Sequence, residues 1–411
     1  MNAFKLGTAV LSLALCALGQ AGLARADVIT DWNDKACAVV GKVGAGPAGH
    51  RMMAVVQVAV FEAVNSIDPK YAPYMERIAA PRGASIDAAV AAANRATLVE
   101  LVPAEKAAIE AAYQSAIAAI PEGAAKADGV AVGEKAAAMM LARAGKDGWN
   151  AAENYQPHTS AGRYVPAMIP ALPAWGKRTP WVLDKTSQFR PGPPPDLNSE
   201  TWERDLNEVR MVGGKTSTAR TAQQTDIARF WEETRPLIYH PIVRSVATMP
   251  GRTVAQNARL YAAATMAMDD ALIAVFDAKY AYNFWRPVTA LRHDHTAGKT
   301  KVAADLSWTP FIATPMHPEY PCAHCVISGA LGAVLNAELA GAPPPKLSSS
   351  SPTANGMVHE WTSIADFMEE VKVARIYDGV HYRNSSNVGN ELGMKVGTLV
   401  TQKFAAPTGS Y

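Results

Sequence analysis

From Ala84 to Ala144 the chain is built largely of alanine, with Glu and Lys interspersed and breaks at Pro103 and Pro121-Glu122-Gly123. Alanine has the highest helix propensity, so this stretch predicts several antiparallel helices. Upstream, Met52, Val55, Val56, Ala59, Val60, Ala63 and Val64 recur at helical spacing within 46–66. Helical patterns return at 200–211, 217–234, 253–281, 363–377 and 387–404. No period-two alternation runs far enough to suggest a sheet, and no repeat of a solenoid's length is present. The expectation is an all-α fold. Two stretches interrupt it. Prolines at 157, 166, 170, 173, 180, 191 and 193–195 forbid long helices between 155 and 198, which reads as an irregular wrap. Pro343-Pro344-Pro345 followed by Ser348 to Ser351 reads as a surface loop.

Composition excludes several classes of function. With 49% apolar residues and a net charge of +2, the chain is neither disordered nor suited to nucleic acid as a bulk partner. Four cysteines in 411 residues exclude a disulfide-stapled miniprotein. The first 26 residues read as a signal peptide. Lys5 gives a positive start, Val10 to Leu18 an apolar run too short to span a bilayer, and Ala24-Arg25-Ala26 a cleavage site. The expected product is residues 27–411, secreted or periplasmic, with no transmembrane segment and with homo-oligomerisation left open.

Three segments carry chemistry. In Lys279-Tyr-Ala-Tyr-Asn-Phe-Trp-Arg286-Pro287 the two cations are seven apart. On a helix they fall nearly in line, two turns apart, and Pro287 marks a stop or kink. Phe276, Tyr282, Phe284 and Trp285 flank them, and an apolar wall strengthens cations toward an anion. In His317-Pro-Glu-Tyr-Pro321-Cys322-Ala323-His324-Cys325, small residues precede an apolar helical run, so free backbone N–H groups converge at its start. His324 stands where it can act as acid or base toward an anion there. In Arg375-Ile-Tyr-Asp-Gly379-Val-His381, the Asp378-Gly379 turn allows Arg375 and His381 to converge although six residues apart.

Lys-x6-Arg-Pro, Pro-x-x-His and Arg-x5-His, in that order, resemble the signature of the type 2 phosphatidic acid phosphatase and vanadium haloperoxidase superfamily. The resemblance covers roughly 253–404, and Phe284-Trp285-Arg286-Pro287 with His317-Pro-Glu-Tyr-Pro321 looks like its bacterial haloperoxidase-like branch. It implies a large helical bundle in residues 199–411 carrying the oxyanion site, preceded by a helical region at 27–198. It also implies roles. Lys279, Arg286 and Arg375 would hold the equatorial oxygens of vanadate or phosphate, with Cys322 and Ala323 at the remaining oxyanion-binding positions. His381 would be the axial vanadate ligand, or the nucleophile of a phosphatase, and His324 the acid–base. His317, with Phe276 and Trp285, would border the halide or substrate site.

This chain departs from the family's Pro-Ser-Gly-His. Cys322 offers a weaker thiol donor in place of a hydroxyl, and Ala323 keeps the N–H but loses glycine's freedom. Losing one hydrogen bond to a charged ligand costs roughly 1.5–3 kcal/mol. Cys322 and Cys325 form a C-x-x-C that in an exported chain is open to disulfide formation, which would remove the thiol donor. As thiols beside peroxide they would themselves be oxidised. The leading expectation is a vanadate-dependent haloperoxidase acting on hydrogen peroxide and halide. The alternative is an acid-type phosphatase acting on a phosphomonoester through a phosphohistidine, without cofactor. A third is a degenerate oxyanion-binding or C-x-x-C redox protein. Asp226, Asp269 and Asp270 are candidates for an acid that orients His324, and His293-Asp294-His295 reads as an exposed loop rather than a metal pair.

Overall fold

The structure is a computed structural model that describes residues 27–43, 46–157, 159–293 and 302–404. The signal-peptide reading, and residues 294 and 295 of the His-Asp-His segment, lie outside them; His293 itself is exposed. Among the described residues the fold is all-α apart from one small hairpin.

Helices α1 (Val28–Val43) and α2 (Pro47–Ile67) open the chain, α2 with Pro47 in its first turn, where a missing N–H costs nothing. The alanine-rich stretch forms α3 (Ile86–Leu101), α4 (Lys106–Ala118) and α5 (Ala124–Ala144). After the irregular wrap come α6 (Glu200–Val212), α7 (Ala222–Phe230) and α8 (His240–Ala247). The pattern at 217–234 yields only the short α7, which a Thr221–Gln224 capping box starts late and Trp231 ends. The axis of the fold is α9 (Val254–Tyr282), begun by a Thr253–Gln256 capping box and buried along almost its whole length. Then follow α10 (Pro287–Arg292), α11 (Ala323–Leu339), the strands β1 (Leu347–Ser351) and β2 (Met357–Trp361), α12 (Ile364–Tyr377) and α13 (Arg383–Lys403).

Helices α2, α11 and α13 pack around α9. Gly389, Gly393 and Gly397, four apart on α13, lie against the α11 segment so closely that a Cβ would meet the carbonyls of Cys322, Val326 and Ala330 at 2.5, 2.1 and 2.3 Å. This contact brings the starts of the two helices together. The serine stretch expected as a loop is instead β1, paired antiparallel with β2 from Leu347↔Trp361 to Ser351↔Met357. It escapes the alternation test because buried positions 349 and 351 are serines, Ser349 Oγ donating to the Ile238 carbonyl.

The Pro-rich wrap is fastened to α9 by carboxylates. Asp269 accepts from Arg178 at 2.8 Å and from Trp181 Nε1 at 2.8 Å, while Asp270 accepts the N–H groups of Trp181, Val182 and Leu183. Arg178 also pairs with Asp147, which holds Arg51 of α2. These charges are buried, and each is compensated in the way that keeps a buried ion tolerable.

Candidate active site

Helix α9 ends one turn before Arg286. Asn283 adopts the left-handed conformation at φ 51°, closing the helix with its N–H on the Lys279 carbonyl. Lys279 and Arg286 therefore do not share a helical face as expected. Arg286 is the N-cap of α10 and reaches the site from the following loop. Gly379 performs the second redirection: at φ 76° it sits against Gly213, whose carbonyl a Cβ would meet at 2.2 Å, and the chain leaves α12 to return with His381 beside Arg286.

Three cations and His381 converge in a buried floor. Lys279 Nζ donates to the carbonyls of Pro318 (2.9 Å) and Glu319 (2.7 Å). Arg286 donates to the His317 and Val380 carbonyls, to His317 Nδ1 at 3.0 Å and to His381 Nε2 at 3.2 Å. Arg375 donates through one nitrogen to the Trp231 carbonyl and to Asp378, both at 2.7 Å, while its buried Nε has no partner. All three cations are no more than 1% exposed. Burial and the mutual repulsion of the cations push the Lys279 ammonium well below its ordinary range and bring Arg286 down to about 10.

A cavity of about 440 Å³ lies over this floor. His317, His324, Arg375 and His381 line it, with Phe276 and Leu272 of α9 and Ala171 and Leu172 of the wrap among its apolar walls. A second cavity of about 540 Å³, across the Thr314–Met316 strap, shares only Arg286 with the basic floor. His324 Nε2 lies 3.1 Å from the Glu233 carbonyl, which can only accept, so Nδ1 is the basic nitrogen of the neutral ring. Burial, then Arg375, holds His324 well below the usual histidine range. None of the three aspartates considered as its partner plays that part: Asp269 and Asp270 anchor the wrap, and Asp226 is exposed on α7.

Two expectations are corrected. Cys322 and Cys325 are joined as a disulfide, their Cα atoms 5.3 Å apart, so Cys322 has no S–H to donate. Its Sγ instead accepts the Cys325 N–H and caps α11, leaving Ala323 and His324 in the first turn, where backbone N–H groups lack helical acceptors. Trp285, expected at the substrate site, stacks on Trp202 in a separate apolar cluster and does not line the cavity, because the Asn283 turn directs it away.

The sequence reading missed two carboxylates. Glu319 Oε1 lies 2.7 Å from His381 Nδ1, and Asp378 pairs with Arg375. Burial raises both, each to about 7, against the opposing pull of the nearby cations. Three cations facing two carboxylates favour an anion on the floor.

Residues 259–409 match the family model described as the second helical-bundle domain of VCPO. The vanadium chloroperoxidase of Curvularia inaequalis is 29% identical over 210 residues, covering 43% of this chain. Over this region the chain is similar in sequence to vanadium haloperoxidases. It spans about a third of the length of that curated relative, 34%. In structure it is similar to a bacterial vanadium-dependent iodoperoxidase, with a TM-score of 0.78, 24% identity and coverage of 94% of this chain and 99% of the other. It is also similar to the apo form of a bacterial vanadium-dependent chloroperoxidase, with a TM-score of 0.70, 16% identity and coverage of 88% and 94%. These likenesses are of fold; Cys322-Ala323 and the disulfide are features of this chain's own sequence and structure.

Proposed function

We propose that this chain is an exported, vanadate-dependent haloperoxidase that oxidises halide with hydrogen peroxide. The observation that carries the reading is the placement of His381: its Nε2 stands beside Arg286, on a floor shared with Arg375 and beneath the cavity that His324 also lines. The residues fit an oxyanion such as vanadate. Arg375 Nε is buried with no partner, and the first-turn N–H groups of Ala323 and His324 add neutral donors. When bound, vanadate would supply the activation of peroxide toward halide.

The chain's own groups have separable tasks. Lys279, Arg286 and Arg375 would neutralise and orient the oxyanion, and His381 would hold it through Nε2. His324, neutral with Nδ1 as its base, would take up a proton from peroxide brought to the floor. His317 and Phe276, with ring centroids 5.1 Å apart, form the wall nearest the floor where a halide would approach. The disulfide supports the peroxidase reading, since no free thiol at Cys322 or Cys325 competes for oxidant. Among the described residues no helix is long and apolar enough to cross a membrane.

Purified protein supplied with orthovanadate should oxidise iodide or bromide in the presence of hydrogen peroxide, and His381→Ala should abolish this. Failure with every halide would overturn the reading. The same floor suits a phosphomonoester with His381 as nucleophile, a second reading supported by the carboxylate at His381 Nδ1.

A further inference from the structure

We infer that Glu319 is the positioning residue of His381, holding the ring in the tautomer that turns a lone pair on Nε2 toward the oxyanion floor. This rests on the reading that His381 would hold the oxyanion through Nε2. The geometry is specific. One carboxylate oxygen, Oε1, accepts from His381 Nδ1 at 2.7 Å and from the N–H of the next residue, Tyr382, at 3.2 Å. A single atom therefore fixes both the ring and the backbone that carries it.

The donor and acceptor inventory leaves one arrangement. Oε1 already accepts the Tyr382 N–H, so it faces the ring as an acceptor and the proton lies on Nδ1. The neighbour of Nε2 is Arg286, a group that only donates, so a proton on Nε2 would set two donors against each other at 3.2 Å. Both contacts select the Nδ1–H tautomer. Glu319 is fully buried and does not line the cavity, so the Nδ1 side of the ring faces the carboxylate rather than solvent.

Glu319 also fixes a second member of the site through its main chain. Its carbonyl accepts Lys279 Nζ at 2.7 Å, and its N–H is held by the Phe284 carbonyl in the loop between Asn283 and Arg286. The groups facing the Glu319–His381 pair are Lys279 from α9, Arg286 from the following loop, Arg375 from α12, and His317. Glu319 is thus the point at which the Lys-x6-Arg segment, the central motif and the segment carrying His381 are joined. It does not line the cavity and is not a catalytic residue.

The role predicts a split between two oxyanions. Phosphate bound at equilibrium needs only the cations and N–H groups, whereas vanadate also needs the Nε2 lone pair. Glu319→Gln keeps the shape but can also turn its NH2 toward Nδ1, so it holds the Nδ1–H tautomer less firmly than the carboxylate does. Isothermal titration of the full chain with orthovanadate and, separately, with inorganic phosphate should show the vanadate-to-phosphate affinity ratio falling on the order of tenfold to a hundredfold, the range for residues that orient a metal-ligating histidine. Glu319→Asp should restore most of that ratio. A purely electrostatic role would tighten both anions together, and a purely structural one would weaken both together; an unchanged ratio overturns the proposal. Nitrogen-15 NMR of histidine-labelled wild-type protein gives a second arm that needs no variant to fold. The His381 signals, assigned by their loss in His381→Ala, should show Nδ1 protonated and Nε2 bare, and the reverse pattern overturns the proposal. Neither arm uses halide or peroxide. A chain that fails to oxidise halide but shows the split would lose the proposed activity and keep this inference.

Discussion

Replacing Asp378 by asparagine should tighten oxyanion binding. The carboxylate is fully buried and accepts from Arg375 at 2.7 Å, and asparagine can accept the same bond through Oδ1 while removing the charge. Arg375 also keeps its bond to the Trp231 carbonyl, so the guanidinium stays in place. An anion on the far side of Arg375 lies roughly 7 Å from the carboxylate, where two unit charges at an effective dielectric near 20 interact by about 2 kcal/mol. Removing that repulsion should lower the phosphate Kd by about thirtyfold. The effect carries its own pH signature. Burial, reinforced by Glu232, raises Asp378 to about 7 against the pull of Arg375. Above that value the wild-type carboxylate is charged and repels the ligand; well below it the carboxyl is already neutral. Isothermal titration of phosphate at pH 8.5 should therefore separate wild type from Asp378→Asn, and at pH 5.5 the two should converge. Equal affinities at pH 8.5, or a gap that persists undiminished at pH 5.5, would refute the charge balance assigned to the floor.

Two further outcomes test the frame around the site. His240 is buried against Asn33, and burial lowers its pKa from 6.5 to about 3. Below pH 6.5 the unfolded chain binds a proton there that the folded chain does not, so stability falls with pH. Wild type should lose about 2 kcal/mol relative to His240→Asn between pH 7 and pH 5 in urea unfolding, and parallel pH profiles would contradict the assignment. Residues 27–411 should present one thiol under denaturing conditions, Cys37, and three after reduction; three thiols before reduction would remove the disulfide from the account.

Much of the site is legible in the sequence because its chemistry lies in residue types at fixed separations. Lys279, Arg286, His324, Arg375 and His381 are each named by their spacing, and the structure brings them together. The geometry that unites them is less legible. Asn283 in a left-handed cap takes Arg286 off the helix, a step that an asparagine permits but does not announce. The β-hairpin is hidden because two buried positions of β1 are serines, Ser349 satisfied by the Ile238 carbonyl and Ser351 by Thr353. Glu319 is hard to read from sequence because one acid between His317-Pro and Tyr-Pro321 carries no periodic signal; the clue is an acidic residue inside an otherwise apolar and basic segment. Asp269 and Asp270 mark the opposite error. They look catalytic on a buried helix, yet their partners, Arg178 and the N–H groups of 181–183, come from the wrap, whose path cannot be read from local pattern.

The central claim is that the basic floor uses vanadate rather than being blocked by it. The most direct measurement runs one preparation through two assays over the same orthovanadate titration: halide oxidation with hydrogen peroxide, and hydrolysis of p-nitrophenyl phosphate. The account predicts halide oxidation that rises and saturates as vanadate fills the site. Phosphomonoester hydrolysis that vanadate inhibits, with no halide oxidation at any concentration, would contradict it.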